Sequence, residues 1–230
     1  MRVLIVAATE EEVGGLKSEF GSMSHGESTD GAKHFPVTNN CQPLTANCNL
    51  LITGVGMVST AFELGRHLAT NRYDFAVNFG IAGSFDRNIA LGEVCEITED
   101  TFSELGAEND NEFLSIDELG FGKKTFYPVP LPDPYNGFNT SKLTRTTAIT
   151  VNTVHGSDDS IRWIAERLNP QLESMEGAAF FFVCNEFKLP CFQIRAVSNY
   201  VEKRNRSRWE IGLAIKNLNS FAVEFLKLYA

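Results

Sequence analysis

Three short stretches place acidic or amide side chains where an apolar run begins or ends. Glu12 closes the acidic part of "ATEEEV", Glu176 opens the apolar run of "SMEGAAFFFV", and Asn199 ends the run of "CFQIRAVSN". A carboxylate can take a proton from water or stabilise a developing positive charge, and an amide can donate a hydrogen bond to a ring nitrogen or oxygen. Alone, each acid is better explained as a favourable charge at the start of a helix. The chemistry therefore depends on whether the fold brings the three side chains together.

Buried strands alternate with helical patterns along the chain. Apolar runs of strand length occur at 3–8, 49–54, 75–80, 148–156 and 191–199. Helical periodicity is present at 57–70, 158–168, 175–187 and 208–228. Strands interleaved with helices predict an α/β sheet that is covered on both faces. Ligands of such sheets bind at the carboxyl ends of the strands, which is where Glu12, Glu176 and Asn199 would meet.

Length and composition are typical of one globular domain. The 230 residues are 43% hydrophobic and 21% charged, and no linker-like stretch divides them, so we expect a single domain over 1–230. The net charge of −9 argues against nucleic acid as a partner.

The first apolar run leads into carboxylates instead of a cleavage site, and no run reaches the ~18 apolar residues of a membrane span, so no signal peptide or transmembrane helix is expected. The five cysteines lack metal-binding spacing and predict free thiols in the cytoplasm, without a metal.

Charged residues are unevenly distributed. Ten acids and no lysine or arginine lie between Glu93 and Glu118, which we interpret as a solvated face. Arg195 to Trp209 holds five cations against Glu202 alone, and for this run a solvated face and a binding role are equally reasonable.

Residues 120–147 carry four prolines within "FYPVPLPDPYNGF" and predict a long surface loop that could cover a pocket.

The segment "GVGMVS" at 54–59 imitates a dinucleotide-binding fingerprint, since it follows a strand, opens a helix and precedes Asp74 by about twenty residues. Ser59 stands in place of the third glycine, however, and Asp74 begins a strand instead of ending one. We therefore expect no nicotinamide cofactor. Gly54 and Gly56 remain suited to the close approach of a small ligand.

Five motifs occur together in one order: "AATEEEV", "TGVGMVST", "NFGIAGSF", "SMEGAA" and "VSN". In this order they resemble the nucleoside phosphorylase/hydrolase superfamily, and within it the methylthioadenosine/adenosylhomocysteine nucleosidases and the related futalosine hydrolases. The resemblance covers most of the chain and is weakest at 21–47 and 100–147. It implies a three-layer α/β/α fold with a central mixed sheet, and cleavage of an N-glycosidic bond without any cofactor.

The resemblance also implies roles for individual residues. Glu12 would position the attacking water, Glu176 would hold the ribose with Met175 against the sugar, and Asn199 would act on the purine. A carboxylate suits the ribose because bond cleavage passes through a ribose cation. The remaining pocket residues that the resemblance implies are Gly54, Gly56, Ala82, Gly83 and Val154.

Departures from the family pattern indicate the subclass. Phosphorylases hold phosphate with an arginine where this chain has Asn78, and no neighbouring residue in that segment is a cation, which favours water over phosphate. Ser174 replaces a second glutamate of the nucleosidases, so their hydroxyl network is not carried over. Asn199 replaces their aspartic acid, and an amide can donate to N7 or to a 6-oxo group but cannot act as an acid.

These departures favour futalosine, which carries hypoxanthine and a benzoate-bearing chain, as the substrate. Arg204, Arg206 or Arg208 would pair with that benzoate. The expected role is hypoxanthine release in menaquinone biosynthesis, by a homo-oligomer as is common in the family. Three alternatives stay open: an adenosine-type nucleosidase, a purine nucleoside phosphorylase, and a non-catalytic nucleoside-binding protein.

Overall fold

A mixed β-sheet forms the centre of the computed structural model, which describes residues 1–20, 41–45, 47–131 and 142–227. Its strands are β1 Val3–Ala7, β2 Cys41–Pro43, β3 Cys48–Ile52, β4 Phe75–Ser84, β5 Val94–Phe102, β8 Thr125–Phe126, β9 Thr144–Thr150, β10 Leu172–Ser174 and β11 Cys191–Tyr200, and a separate hairpin is formed by β6 Gly106–Asn109 and β7 Glu112–Ser115. The α-helices are α1 Gly14–Phe20, α2 Met57–Thr70, α3 Asp158–Leu168, α4 Gly177–Phe187 and α5 Ile211–Lys227. Two short 3₁₀ helices lie at Glu11–Val13 and Arg206–Arg208.

The sheet partly closes on itself. Its strand order is β10-β9-β5-β11-β4-β1-β3-β2, and β8 pairs with β5. The strands β3, β1, β4 and β11 are parallel neighbours, whereas β5 runs antiparallel to β11. The short strand β10 pairs with β9 and also with the end of β4, where Glu173 lies opposite Gly83. A ring of five strands, β4, β11, β5, β9 and β10, therefore results.

Helices cover both faces of the sheet, so its central strands are apolar on both sides. All five residues of β1 are buried, with Ile5 on the face covered by α1 and α5, and Val6 on the face covered by α2 and α4. Phe225 of α5 packs edge-on against Phe75 and Phe79 of β4. The model therefore has the predicted α/β/α layers.

The acidic stretch after Glu93 is not the solvated face that the sequence suggested. It forms β5, which lies inside the sheet between β11 and β9, and Glu96 and Asp100 are buried there. Charge composition misled the prediction, because alternate positions of this strand carry Cys95 and Ile97 into the core. The hairpin that follows it, whose first strand is fully exposed, does fit a solvated stretch.

The expected loop at 120–147 is only partly described. It contains β8, and β9 begins before its end, at Thr144. Residues 132–141 lie outside the described residues, as does residue 228 of the predicted last helix. Within the described part of the chain, no helix has the length and apolar character needed to cross a bilayer.

Candidate active site

A cavity of about 420 Å³ opens at the carboxyl ends of β1, β4 and β11. Eight of the site residues predicted from the sequence line it: Glu12, Ala82, Gly83, Val154, Met175, Glu176, Asn199 and Arg204. They come from segments as far apart in the chain as Glu12 and Arg204, which the parallel strands bring to one edge. The fold therefore gathers the three stretches whose side chains could do chemistry.

Glu12 is held firmly at the wall of the cavity. It lies in the 3₁₀ turn after β1, where its Oε2 accepts hydrogen bonds from the backbone N–H groups of Ala8 at 3.1 Å and Thr9 at 3.0 Å. Its Oε1 accepts from the N–H of Ile81 on β4 at 3.2 Å. Burial and the nearby charge of Glu176 raise the pKa of Glu12, in spite of these hydrogen bonds. A fixed carboxylate with a raised pKa is suited to accept a proton from water.

Glu176 lies on the same cavity at the start of α4, where it is the residue before the first helical turn. Its Oε1 accepts from the N–H of Gly56 at 2.9 Å, and its Oε2 from the N–H of Met175 at 3.3 Å. Gly56 has φ +99°, a conformation that glycine adopts without strain and that points its N–H at this carboxylate. The glycine segment 54–56 therefore positions Glu176 and places Val55 on the cavity wall.

Two other residues singled out in the sequence support these carboxylates. The N–H of Gly54 donates to the carbonyl of Ala8 at 3.1 Å, which ties the turn after β3 to the end of β1. The hydroxyl oxygen of Ser174 accepts from the N–H of Gly177 at 3.3 Å, so Ser174 satisfies the first N–H group of α4.

Asn199 lies at the end of β11, just after an irregularity in the pairing of β11 with β4. Its Nδ2 donates to the carbonyl of Tyr200 at 3.1 Å, and the hydroxyl of Ser198 donates to its Oδ1 at 2.8 Å. The Tyr200 carbonyl can only accept, so it fixes which end of the amide carries the hydrogens. One amide hydrogen of Asn199 has no partner among the described residues and is available to a ligand.

The three arginines of the basic run have different positions. Arg204 lines the mouth of the cavity and lies over the ring of Trp209, with 5.0 Å between its Cζ and the ring centre. Arg206 contacts the same ring at 5.8 Å without lining the cavity. Arg208 pairs with Glu202 at 3.2 Å on the surface. Only Arg204 can meet a ligand in this cavity directly.

The sequence groups Arg195 with the cations of the basic run, but in the structure Arg195 is buried and lies apart from them. It is 1% exposed on β11, and its guanidinium donates to the carbonyl of Ile194 and to the side-chain oxygen of Asn78. A cation thus lies against Asn78 after all, supplied by the neighbouring strand. The charges of Glu176, Glu12 and Asp100 all act on Arg195, while burial lowers its pKa.

A close approach at Gly80 brings Arg195 and Glu12 together. A Cβ atom added to Gly80 would lie 2.9 Å from Arg195 Nη1 and 3.2 Å from Glu12 Oε1. The absence of a side chain at this position lets the guanidinium and the carboxylate pack over the same point of β4. The buried cation therefore offsets part of the cost of burying Glu12.

Another buried carboxyl group, that of Asp100, lies beneath the start of α4. Its Oδ1 accepts from the hydroxyl of Thr150 at 2.9 Å, and that hydroxyl oxygen accepts from the N–H of Ala178 at 2.7 Å. A Cβ atom added to Gly177 would lie 2.1 Å from both Asp100 Oδ2 and Gln193 Oε1, so these two side chains meet at the helix start. Burial raises the pKa of Asp100 to about 7.

A histidine and a glutamate complete the cavity wall. The Nδ1 of His155 lies 2.5 Å from Oε2 of Glu173, and the backbone N–H of His155 donates to Oε1 of the same carboxylate at 2.9 Å. Neither residue was singled out in the sequence. Arg195 carried a clue, since it is a charge inside an apolar strand, whereas Glu173 and His155 lie in segments without a distinguishing pattern.

The cavity thus holds a fixed proton acceptor, a second carboxylate close to it and a donor amide, which is an arrangement able to cleave a bond between a sugar and a base. Residues 2–228 match the family model of the phosphorylase superfamily, and the chain belongs to this family.

Known proteins of two kinds are similar to the chain. It is 34% identical over 176 residues to a futalosine hydrolase of Streptomyces coelicolor, which is 74% of each chain. In fold, it is similar to the methylthioadenosine/S-adenosylhomocysteine nucleosidase of Helicobacter pylori with a TM-score of 0.76 at 16% identity, over 99% of this chain and 96% of that one. The futalosine hydrolase of the same organism matches with a TM-score of 0.74 at 16% identity, over 97% of this chain and 98% of that one.

Proposed function

We propose that this protein hydrolyses futalosine and releases hypoxanthine, as a cytoplasmic enzyme of menaquinone biosynthesis. Its coarser class, that of an N-glycosyl hydrolase acting on nucleosides, is supported by relatives of both kinds. The choice of futalosine as the particular substrate depends on the amide of Asn199. The similarity to a relative named futalosine hydrolase supports this choice. All five cysteines are free thiols, which is consistent with a reducing compartment.

The base is the part of the substrate that Asn199 would recognise. The orientation of its amide offers an N–H donor and no free acid, so it suits the O6 and N7 acceptors of a 6-oxopurine. A 6-oxopurine can leave as an anion with its charge spread onto O6, which a donated hydrogen bond stabilises. An adenine leaving group would instead require a proton, which an amide cannot supply. This is the observation that carries the choice of substrate.

The ribose and the water would lie between the two carboxylates of the cavity. Glu176, held by the N–H of Gly56, would grip the sugar hydroxyls and stabilise the ribose cation that develops as the base leaves. Glu12 would take a proton from the attacking water, since its raised pKa increases its strength as a base. The water's oxygen forms the new bond to the anomeric carbon, and the base departs with the electrons of the broken bond.

The charges of the cavity support water as the nucleophile in preference to phosphate. Of the described residues that line it, four are acids, Glu11, Glu12, Glu173 and Glu176, and Arg204 is the one permanent cation. Arg195 is buried under Glu12 and already faces three carboxylates. A doubly charged phosphate would meet strong repulsion here, whereas a neutral water would not.

Arg204 would bind the benzoate of the substrate. It lines the cavity mouth, is exposed, and is backed by the ring of Trp209. An exposed arginine can move toward a carboxylate and pair with it through two parallel hydrogen bonds. Arg206 and Arg208 lie outside the cavity lining, so they would act on the substrate only through their charge.

A substrate panel tests this proposal. The protein is incubated with futalosine, its 6-amino analogue, methylthioadenosine and inosine, with and without phosphate, and the products are identified by mass. We expect hypoxanthine from futalosine at a rate that phosphate does not change. Ribose 1-phosphate as a product would overturn the hydrolase, and preferred cleavage of methylthioadenosine would point to the adenosine-type nucleosidase.

Variants assign the reaction to the proposed residues. Glu12→Gln and Glu176→Gln should each lower turnover by roughly 10²–10⁴-fold with the fold intact, because each removes a positioned charge. Glu10→Gln, at an exposed acid of the same turn that pairs with Lys17, is the control and should stay active. Activity close to that of the wild type in Glu12→Gln would remove this residue from the mechanism.

The variant Arg204→Ala tests recognition of the benzoate independently of recognition of the base. We expect it to raise KM for futalosine by ~10-fold or more and to spare inosine, which lacks the carboxylate. Arg208→Ala, at the arginine paired with Glu202, is the matched control. An equal effect of both variants on futalosine would show that general charge, and not a direct pair with Arg204, acts at the mouth.

A further inference from the structure

His155 and Glu173 face the cavity from the side opposite Asn199. Gly83 of β4 is paired with Glu173 of β10 on one side and with Asn199 of β11 on the other. All these residues, together with His155, line the same cavity. A Cβ atom added to Gly83 would lie 3.0 Å from Val201 Cγ2 and 3.2 Å from Asn199 Nδ2, so the absence of a side chain makes room for the Asn199 amide. A flat ligand lying across the end of β4 would meet Asn199 at one edge and His155 at the other.

Glu173 fixes the orientation of the histidine ring. Both of its carboxylate oxygens are used by His155, one by the backbone N–H and one by Nδ1, and its side chain is only 4% exposed. A carboxylate can only accept, so Nδ1 carries a hydrogen. In neutral His155 the other ring nitrogen, Nε2, is then a hydrogen-bond acceptor. Among the described residues Nε2 has no hydrogen-bond partner, although the side chain is only 10% exposed.

We propose that His155, oriented by Glu173, accepts a hydrogen bond from N1–H of a 6-oxopurine and so determines base specificity; this rests on the proposed function. The N1–H group of hypoxanthine is a donor and its O6 and N7 are acceptors, which match an acceptor at His155 Nε2 and a donor at Asn199. In adenine the roles are reversed, because N1 is an acceptor and the 6-amino group is a donor. Both contacts would therefore discriminate in the same direction.

Two substitutions of His155 separate base recognition from a purely structural role. In His155→Asn the side-chain amide nitrogen can replace Nδ1 and keep the bond to Glu173, but nothing replaces Nε2. In His155→Gln the amide oxygen can reach the position of Nε2, while the bond to Glu173 is lost. We expect the asparagine variant to lose about 10- to 100-fold in kcat/KM for 6-oxopurine nucleosides without a comparable loss for the 6-amino analogue, and the glutamine variant to recover part of it.

A nucleoside methylated at N1 provides a second test. Because 1-methylinosine lacks the N1 hydrogen, the wild type should cleave it at least ~10-fold less well than inosine, and this ratio should approach one in His155→Asn. His67→Asn is the control, since His67 is a half-buried histidine whose ring bonds to the Tyr73 hydroxyl at 2.8 Å away from the cavity. The control should leave unchanged the ratio of 1-methylinosine to inosine cleavage and the preference for 6-oxopurine over 6-amino nucleosides.

Binding of free bases, measured by calorimetry, keeps this inference distinct from the proposed function. Tighter binding of hypoxanthine than adenine, lost in His155→Asn, supports the inference even if no futalosine is cleaved. If the wild type cleaves futalosine and the asparagine variant keeps the full preference for 6-oxopurines, the inference is overturned and the function stands. A wild type that prefers adenine overturns both.

Discussion

At the scale of single residues, Asp100 is a carboxyl group that the fold would hold more easily without its charge. Burial raises its pKa from an ordinary 3.8 to about 7. Between these two values the folded protein binds more protons than the unfolded chain, so stability falls as the pH rises through this window. The loss is complete above the folded pKa and amounts to about 4 kcal/mol at most, from ~1.4 kcal/mol per pKa unit.

Asp100→Asn should remove this loss. The asparagine oxygen can still accept from the Thr150 hydroxyl, and its amide hydrogens would face the oxygen of Gln193, which has no partner among the described residues. We expect the variant to gain stability relative to the wild type as the pH is raised from ~5 to ~8, measured by urea unfolding. Asp159→Asn, at a carboxylate that is 93% exposed, is the control. A stability difference that is the same at both pH values would contradict the buried titration.

At the scale of elements, β4 approaches the proposed site most closely at Gly80, a position without a side chain. Gly80→Ala would push a methyl group against Arg195 and Glu12. Because a displacement of about 1 Å at a catalytic group can cost ~10²-fold, we expect kcat to fall by that order while thermal unfolding shows a folded protein. Gly65→Ala in α2, where an added Cβ meets nothing within 4 Å, should leave kcat unchanged. Full activity of Gly80→Ala would show that Glu12 needs no support from β4.

The same strands show what the sequence could predict and what it could not. Apolar runs and helical periodicity identified β1, β3, β4 and β11 and the helices α2 to α5, because in these segments local pattern and burial agree. The run at 148–156 overlaps only the end of β9, which is Thr144–Thr150, because the strand begins in a polar threonine-rich stretch. These patterns missed β5, where acids alternate with core residues, and β10, whose three residues are too few to form a pattern. Glu173 and its partner His155 were missed with β10, since their pairing exists only once the strand ring closes. Residues that line the cavity could be singled out because the order of motifs is visible in the sequence itself, whereas their roles in a reaction stay predictions.

At the scale of the whole molecule, one apolar surface has no cover among the residues that the structure describes. It comprises Val58 of α2, Phe182 of α4, and Leu105 and Phe121 from the region after β5, and it lines two adjoining grooves. Val58 is 76% and Phe121 is 80% exposed, which is unusual for a contiguous group of this kind. We expect a second copy of the chain to cover it in solution, as the homo-oligomer predicted from the family would require.

Light scattering after size exclusion tests this expectation. Val58→Asp and Phe182→Asp should each shift the protein toward the monomer, because an ionised carboxylate cannot be buried in an apolar contact without a large cost. Since Val58 lies in the first turn of α2, next to the Gly56 that holds Glu176, the monomer should also be less active. Phe187→Asp, at an exposed phenylalanine of α4 outside this surface, should change neither property. A monomeric wild type would rule the contact out.

The place of β11 in the sheet has a consequence for synthesis of the protein on the ribosome. It is the last of the described strands along the chain, yet it lies between β4 and β5, which end much earlier, at Ser84 and Phe102. Until residue 200 has left the exit tunnel, both of these strands have an unpaired edge, and unpaired apolar edges promote aggregation. We expect nascent chains to depend on chaperones during this interval. Because Asn199 is part of β11, a truncated product of translation that ends before this strand would lack a residue of the proposed site.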